Sequence, residues 1–332
     1  MQGPEFRALD DVEYGVAEQV SPLIRRVIAE NPSKFTYRGT GTYIVGHGDV
    51  VVIDPGPALD EHRDALDRAL QGERVRAILV THCHADHSPL AAWLKEVSGA
   101  PTIAFGPHPR PQPGIEPDES TQGSATSSIE ESGDADADGT GAVDVEIEES
   151  TDYEFLPDVF AADGDVVVGG GGGGLTMTAV HTPGHTSNHT CWSLAEERAL
   201  FTGDHVMGWS TTVVSPPDGD MTAYLDSLRR VAGRNDAMLW PTHGPPRDDG
   251  KAYVGALIEH RIERERGVLE AVRAGRSTIP EIVALLYADV REELHKPAGR
   301  SVWAHLERLV AEGRVEVEGS SIPDLDSRYA PA

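Results

Sequence analysis

Thr81-His82-Cys83-His84-Ala85-Asp86-His87 is the stretch from which the rest of the chain is read. An apolar run, Ala77-Ile78-Leu79-Val80, precedes it and reads as a buried strand. Ser88-Pro89-Leu90-Ala91-Ala92-Trp93 follows and reads as a helix start, with Ser88 as the cap and Pro89 at the first helical position. Three histidines and an aspartate are therefore expected on a strand-to-helix turn. Alternation along an extended segment points His82 and His84 the same way, and the bend after them can bring Asp86 and His87 round to a second point nearby. Cys83, between two same-facing residues, is expected to turn into the core. Imidazole nitrogen and carboxylate oxygen are the donors a zinc-type ion takes. A polar loop that merely happens to be rich in histidine is the alternative, and the density of the cluster argues against it. The stretch reads as half of a two-metal site.

Upstream, Thr40 to Val45 and Val50 to Ile53 read as two strands joined by the turn Gly46-His47-Gly48-Asp49, the second strand ending in Asp54-Pro55-Gly56-Pro57. A helix is expected over Leu59 to Leu70, another from the opening motif to about Val97, and a strand over Pro101 to Phe105. This order of strands and helices indicates an α/β sandwich. Residues 1 to 35 have mixed character and no nameable chemistry.

Downstream, three further loops carry candidate ligands. His181-Thr182-Pro183-Gly184-His185-Thr186 follows the apolar segment Leu175 to Val180; Phe201-Thr202-Gly203-Asp204-His205 closes the strand-like Ala199 to Thr202; and Trp240-Pro241-Thr242-His243-Gly244-Pro245 closes Ala237 to Trp240. Each puts a His or Asp at a strand end. Together they offer one oxygen donor able to bridge and two more imidazoles. Val166 to Val168 and Leu175 to Val180 read as a hairpin across six glycines, 169 to 174, which have no phosphate-loop pattern. His189 to Leu194 is a further strand. Helices are expected over Met221 to Val231, Lys251 to Ala274, Thr278 to Tyr287 and Ser301 to Glu312, with Gly313-Arg314-Val315-Glu316-Val317 starting a wing.

The chain has 332 residues and a net charge of −27. Glu116 to Asp158 alone holds 15 Asp or Glu and no Lys or Arg, and its Ser, Gly and Pro content cannot bury enough surface to offset ordering entropy, so 112–150 is expected to be a disordered acidic insertion. Of the 28 basic residues four are Lys, which with the acidic excess fits either a salty cytoplasm or a biased genome. An acidic surface argues against non-specific phosphate-backbone binding, and Lys251 to Glu316 balances 11 basic against 11 acidic residues, so helix packing or oligomer contact suits the C-terminal helices better than DNA reading. Only Cys83 and Cys191 are present, too few for a disulfide framework. The N-terminus lacks an apolar run and no stretch approaches the ~20 apolar residues of a membrane helix, so a cytoplasmic protein is expected, with no membrane partner.

These motifs resemble those of the metallo-β-lactamase superfamily: an Asp after the second strand, His-x-His-x-Asp-His, a later His, a bridging Asp and a final His, all in order between about residues 36 and 250. The resemblance implies a four-layer αββα sandwich, with His82, His84 and His185 holding one divalent metal ion, Asp86, His87 and His243 the other, and Asp204 between them. Asp54 would orient a ligand from behind. The motifs are similar to those of hydroxyacylglutathione hydrolases (glyoxalase II) and of the β-lactamase-like group with a C-terminal winged helix, which includes an endoribonuclease. The C-terminal helices followed by Gly313-Arg314-Val315 match the latter better, which counts against glutathione recognition. The implied divisions are an N-terminal segment 1–35, a metallo-β-lactamase domain 36–250, and a helical linker with a small winged-helix-like domain 251–332.

Two zinc ions about 3.5 to 4 Å apart can share a water and lower its pKa towards neutrality, supplying a hydroxide nucleophile while one ion polarises the substrate oxygen. Iron or manganese would suit the same ligands. Asp86 and Asp204 then take catalytic places as ligands, and His205 is a proton donor or a brace. Trp209, Ser210 and Thr211, following the bridging Asp closely, are candidates to line the substrate cleft, with Trp209 as an apolar wall. His181 and His189 read as supporting residues. The expected activity is hydrolysis of a small ester or thioester. Cleavage of single-stranded RNA is the rival, and a non-catalytic winged-helix scaffold or regulator is the alternative outside enzymes. Nothing in the sequence suggests export, against a true β-lactamase. Diiron relatives usually carry a carboxylate at the place of His84 and a flavin domain, and this chain has neither.

Overall fold

The computed structural model describes residues 3–110, 150–169, 174–288, 295–319 and 322–332. The expected insertion at 112–150 lies outside them except for Ser150, whose carbonyl accepts the Ala85 N–H at 2.9 Å. The polyglycine turn lies outside them except for Gly169 and Gly174. The chain forms two compact units, one of Leu9–Ala161 with Thr242–Gly244, the other of Ala162–Pro241 and Pro245–Ala332 with the N-terminal residues up to Ala8.

The first unit is built on a seven-stranded sheet whose spatial order follows the chain: β1 (Glu18–Gln19), β2 (Ile24–Ile28), β3 (Gly41–His47), β4 (Asp49–Ile53), β5 (Arg74–Leu79), β6 (Thr102–Ala104) and β7 (Val159–Phe160). β1 to β4 pair antiparallel and β4 to β7 pair parallel. Parallel neighbours need crossovers, which α1 (Asp60–Ala69) supplies between β4 and β5 and α2 (Leu90–Ser98) between β5 and β6. Their apolar faces, Ala65 and Leu66 on α1 and Leu90, Ala91 and Leu94 on α2, pack with Ile44, Val50, Val52, Ile78 and Val80. Cys83 belongs to this cluster, as expected of a residue between the same-facing His82 and His84.

Two details differ from the sequence reading. Residues 1–35 contain β1 and β2. Arg25 and Arg26 interrupt the apolar pattern of β2, and both are accommodated by ion pairs, to Glu73 at 3.0 Å and to Glu18 at 3.1 Å. Ser88 does not cap α2. Its hydroxyl donates to Asp152 Oδ2 at 2.8 Å, and the helix begins at Leu90 behind Pro89.

The second unit has a five-stranded sheet in the order β12-β11-β10-β9-β8, from β8 (Val166–Val168), β9 (Met177–His181), β10 (Thr190–Leu194), β11 (Ala199–Gly203) and β12 (Met238–Pro241). Only β11 and β12 run parallel, joined through α3 (Met221–Ala232). Val180, Cys191, Leu200 and Leu239 of the sheet pack with Tyr224, Leu225 and Leu228 of α3 and with Tyr253, Val254 and Leu257 of the long α4 (Gly250–Arg273).

Further along, α4 enters a second core. Val268, Leu269 and Val272 pack with Ile279, Ile282 and Val283 of α5 (Ile279–Leu286) and with Val302, Leu306 and Leu309 of α6 (His295–Ala311). α5 starts with a Thr278–Glu281 capping box. α6 begins at His295 rather than Ser301. It runs through Gly299, where a Cβ would make only ordinary contact with Ile279 and Val283 of α5. The wing is a hairpin of β13 (Val315–Val317) with β14 (Tyr329–Pro331), the latter an element the sequence reading did not contain. Among the described residues no helix is long and apolar enough to cross a membrane.

Candidate metal centre

In the first unit, β4 and β5 end side by side and deliver Asp54 and the Thr81–His87 turn to the same edge. Asp54 adopts a left-handed backbone, φ 47°, unusual for a residue with a Cβ. Its surroundings account for this. Oδ1 accepts the Thr81 N–H at 2.7 Å, and Oδ2 accepts the Thr81 hydroxyl at 2.8 Å, the Thr242 hydroxyl at 3.1 Å and His87 Nδ1–H at 2.9 Å. The backbone carbonyl of Asp54 takes the Thr42 hydroxyl at 2.7 Å, and Thr42 Oγ1 lies 2.9 Å from Nε2 of the buried His62. Burial pushes that imidazole down to about 4. Asp54 itself is 1% exposed, so a buried carboxylate is fully engaged and its geometry set from four sides.

With Nδ1 at Asp54, His87 places its Nε2 3.4 Å from Asp86 Oδ2. His243 repeats the arrangement. Its Nδ1 lies 3.3 Å from the Gly39 carbonyl, and its Nε2 lies 3.1 Å from Asp86 Oδ2. Thr40 donates to the same oxygen at 2.8 Å. Asp86, His87 and His243 are all buried, and one donor atom from each falls within 4.8 Å of the others. Two imidazoles held at Nδ1 by oxygen acceptors, with a carboxylate oxygen beside both Nε2 atoms, form a donor set that fits a zinc-type cation. His82 and His84 adjoin this set: the His82 ring centroid is 4.0 Å from that of His87, and His82 Nε2 is 2.9 Å from His84 Nδ1.

In the second unit, His185 and Asp204 come from loops after β9 and β11. His185 Nδ1–H donates to the Val213 carbonyl at 2.6 Å, leaving Nε2 directed to Asp204 Oδ2 at 3.8 Å. The Asp204 N–H donates to His189 Nε2 at 3.3 Å, and the Asp204 carbonyl accepts the Thr212 hydroxyl at 2.7 Å. His189 is in turn held by Thr182, 2.9 Å from its Nδ1. The loop carrying His185 turns at Gly184, φ 135°, where a Cβ would run into the backbone of Tyr224.

His205 is fully buried, edge-on to Tyr224 with ring centroids 5.2 Å apart, and burial pushes its imidazole down to about 3, so it is neutral at physiological pH. Burial likewise lowers His181, whose Nε2 lies 3.1 Å from the Ser187 carbonyl. Trp209, Ser210 and Thr211 are half-buried on the loop that follows Asp204. The sequence reading gave no role to Thr40, Thr42, His62, Thr242 or Val213. A lone hydroxyl or carbonyl has no spacing signature, and only Thr242, sitting in the quoted final loop, lay within a motif.

The family described as Metallo-beta-lactamase superfamily matches residues 37–243, and the Beta-lactamase associated winged helix domain matches residues 278–324. Among relatives, an atrochrysone carboxyl ACP thioesterase of Aspergillus novofumigatus is 28% identical, over 94% of this chain and 87% of its own. A beta-lactamase-like protein 2 homolog of Caenorhabditis elegans is 29% identical, over 90% and 88%. The crystal structure of a beta-lactamase domain protein from Burkholderia ambifaria shares the fold with a TM-score of 0.71 at 21% identity, covering 97% of this chain and 96% of that one. With its motifs in order and most of its length matched, the chain belongs to the metallo-beta-lactamase superfamily, as a hydrolase that carries the associated winged helix domain.

Proposed function

We propose that the protein is a metal-dependent thioesterase acting on an acyl thioester of a small thiol or carrier. The observation that carries this reading is the near full-length similarity to proteins named as ACP thioesterases, including a second from Aspergillus chevalieri, 29% identical over 90% of this chain and 82% of its own. The buried donor set of Asp86, His87 and His243 supports it.

In this reading His82, His84 and His185 would hold one divalent ion and Asp86, His87 and His243 the second, with Asp204 available to both, zinc being the first choice and iron or manganese compatible. Such ions supply Lewis acidity and activate water for attack on an acyl carbon. The protein's own residues do the rest. Asp54 keeps the Nδ1 proton on His87 and so presents Nε2 in its basic form. Val213 does the same for His185. His205, neutral and buried next to Asp204, packs its ring edge-on to Tyr224 and offers an apolar support rather than a hydrogen bond. Trp209, Ser210 and Thr211 face the acyl group.

The test is release of free thiol from S-lactoylglutathione and from an acyl-pantetheine thioester by metal-stripped protein reloaded with Zn²⁺, with Asp86→Ala as control and a labelled single-stranded RNA in parallel. Thiol release that depends on metal and on Asp86 is expected. RNA cleavage without thiol release, or equal rates in the variant, would overturn the reading.

A further inference from the structure

The segment from Asp204 to Val213 holds two of the proposed ligands at once, Asp204 through its own backbone and His185 through the Val213 carbonyl. Its fixed point is Thr212. The Thr212 hydroxyl reaches back to the carbonyls of Asp204 at 2.7 Å and His205 at 3.2 Å. The Thr212 carbonyl accepts a hydrogen bond from Nη2 of Arg261. Arg261 lies in the middle of α4, between the residues that helix gives to the sheet core and those it gives to the winged-helix core. The side chain is 4% exposed, and its guanidinium sits 5.4 Å from the Tyr224 ring centroid, while the Tyr224 hydroxyl donates to the His205 carbonyl at 3.1 Å. One turn further on, Glu265 is held by Arg308 and Arg314 of the winged-helix part.

Desolvating a guanidinium is expensive, and one carbonyl and one aromatic face are modest compensation. Nonpolar packing of the same volume would serve a helix better if stability were all that position supplied. We infer that Arg261 is a positioning residue of the metal centre: through Thr212 it sets the loop that presents Asp204 and orients His185, and so makes the helix leading to the winged helix part of the scaffold for one of the two ions. The inference rests on the ligand assignment proposed above, but it predicts something that assignment does not. Loss of Arg261 weakens most the ion assigned to His82, His84 and His185, which loses an oriented imidazole as well as a well-placed Asp204, and weakens less the one assigned to Asp86, His87 and His243, which shares Asp204 but keeps its own supports, Asp54, Gly39 and Thr40.

The test is titration of the metal-stripped full-length chain with Co²⁺, following its visible absorption. Wild type, Arg261→Met, Arg261→Lys, Thr212→Val and the exposed control Arg266→Ala are compared, each checked by circular dichroism and thermal melting. Two equivalents are expected in wild type and in Arg266→Ala. In Arg261→Met one equivalent weakens, by about 10- to 100-fold, the range seen when the supports of metal ligands are removed. Arg261→Lys, which keeps the charge but not the planar fork, falls between. Thr212→Val leaves Arg261 and its carbonyl contact in place but removes the hydroxyl that ties Thr212 to Asp204 and His205, so it breaks the next joint of the same path, weakens the same equivalent and serves if Arg261→Met does not fold. Unchanged binding of both equivalents in folded Arg261→Met or Thr212→Val, or equal weakening of both, would overturn the inference. No binding in wild type would instead sink the metal-centre reading.

Discussion

Thr242 Oγ1 donates to Asp54 Oδ2 at 3.1 Å, joining residues 188 positions apart in the chain. His243 stands next to Thr242 and His87 shares the same carboxylate oxygen, so one buried aspartate positions both imidazoles of the Asp86 set. Asp54→Asn keeps the shape but removes the charge and turns one oxygen into a donor facing donors. Affinity for Zn²⁺ should fall about 10- to 100-fold, read by competition with a chromophoric chelator. Wild-type affinity in the variant would mean that Asp54 serves only the turn.

Gly184 provides a second check, on the other ligand loop. Its φ of 135° is open to glycine alone, and the close backbone of Tyr224 leaves no room for a methyl group. Gly184→Ala should cost about 2–4 kcal/mol in denaturant unfolding, since neither strain nor clash can be relieved without moving α3. A loss under about 0.5 kcal/mol, the range of ordinary surface changes, would contradict this account of the turn.

The candidate metal motifs stand out because the chemistry they suggest concentrates rare residue types. Four of the seven proposed ligands fall within Thr81 to His87, and each of the other three closes a strand at a loop. Packing and polar support were less legible. Arg25 and Arg26 hide β2 because their charges are answered by Glu73 and Glu18, residues the pattern of the strand cannot include. Ser88 looks like a cap until Asp152, 64 residues on and within the acidic stretch, takes its hydroxyl. β14 pairs with β13 across a loop whose length gives no turn signature. Each miss is a tertiary partner overriding a local preference.

Glu307 on α6 gives a pH prediction. Burial, with the carboxylate of Asp220 adding to it, pushes its pKa up to about 7 from an ordinary 4.5. A carboxyl raised in the folded state costs nothing below the unfolded value and becomes destabilising as pH climbs through the folded one. Glu307→Gln should therefore leave stability almost unchanged at pH 4 and raise it by about 1–3 kcal/mol at pH 8, with the gain appearing between about pH 4.5 and 7. Urea unfolding at the two pH values reads this directly. A constant difference across the window would assign the effect to packing.

Glu265 ties the long helix to the winged-helix part. It is 5% exposed, and its two oxygens are taken by Arg308 and by Arg314 at 3.3 Å, with His305 Nδ1 3.8 Å away. Arg308 and Arg314 also share Glu312, at 2.8 and 3.0 Å, but that carboxylate is far more exposed and cannot replace the buried one. Removing one member of a buried ionic cluster leaves the others desolvated and unpaired, whereas removing the whole cluster does not. Glu265→Leu should cost about 3–5 kcal/mol, and the triple change Glu265→Leu, Arg308→Leu, Arg314→Leu should recover much of that loss. The comparison separates a cluster that stabilises from one that mainly selects the docking of α6 and the wing against α4. In the second case the triple variant melts near the wild-type temperature, but its two cores, the sheet core and the winged-helix core, unfold in separate steps.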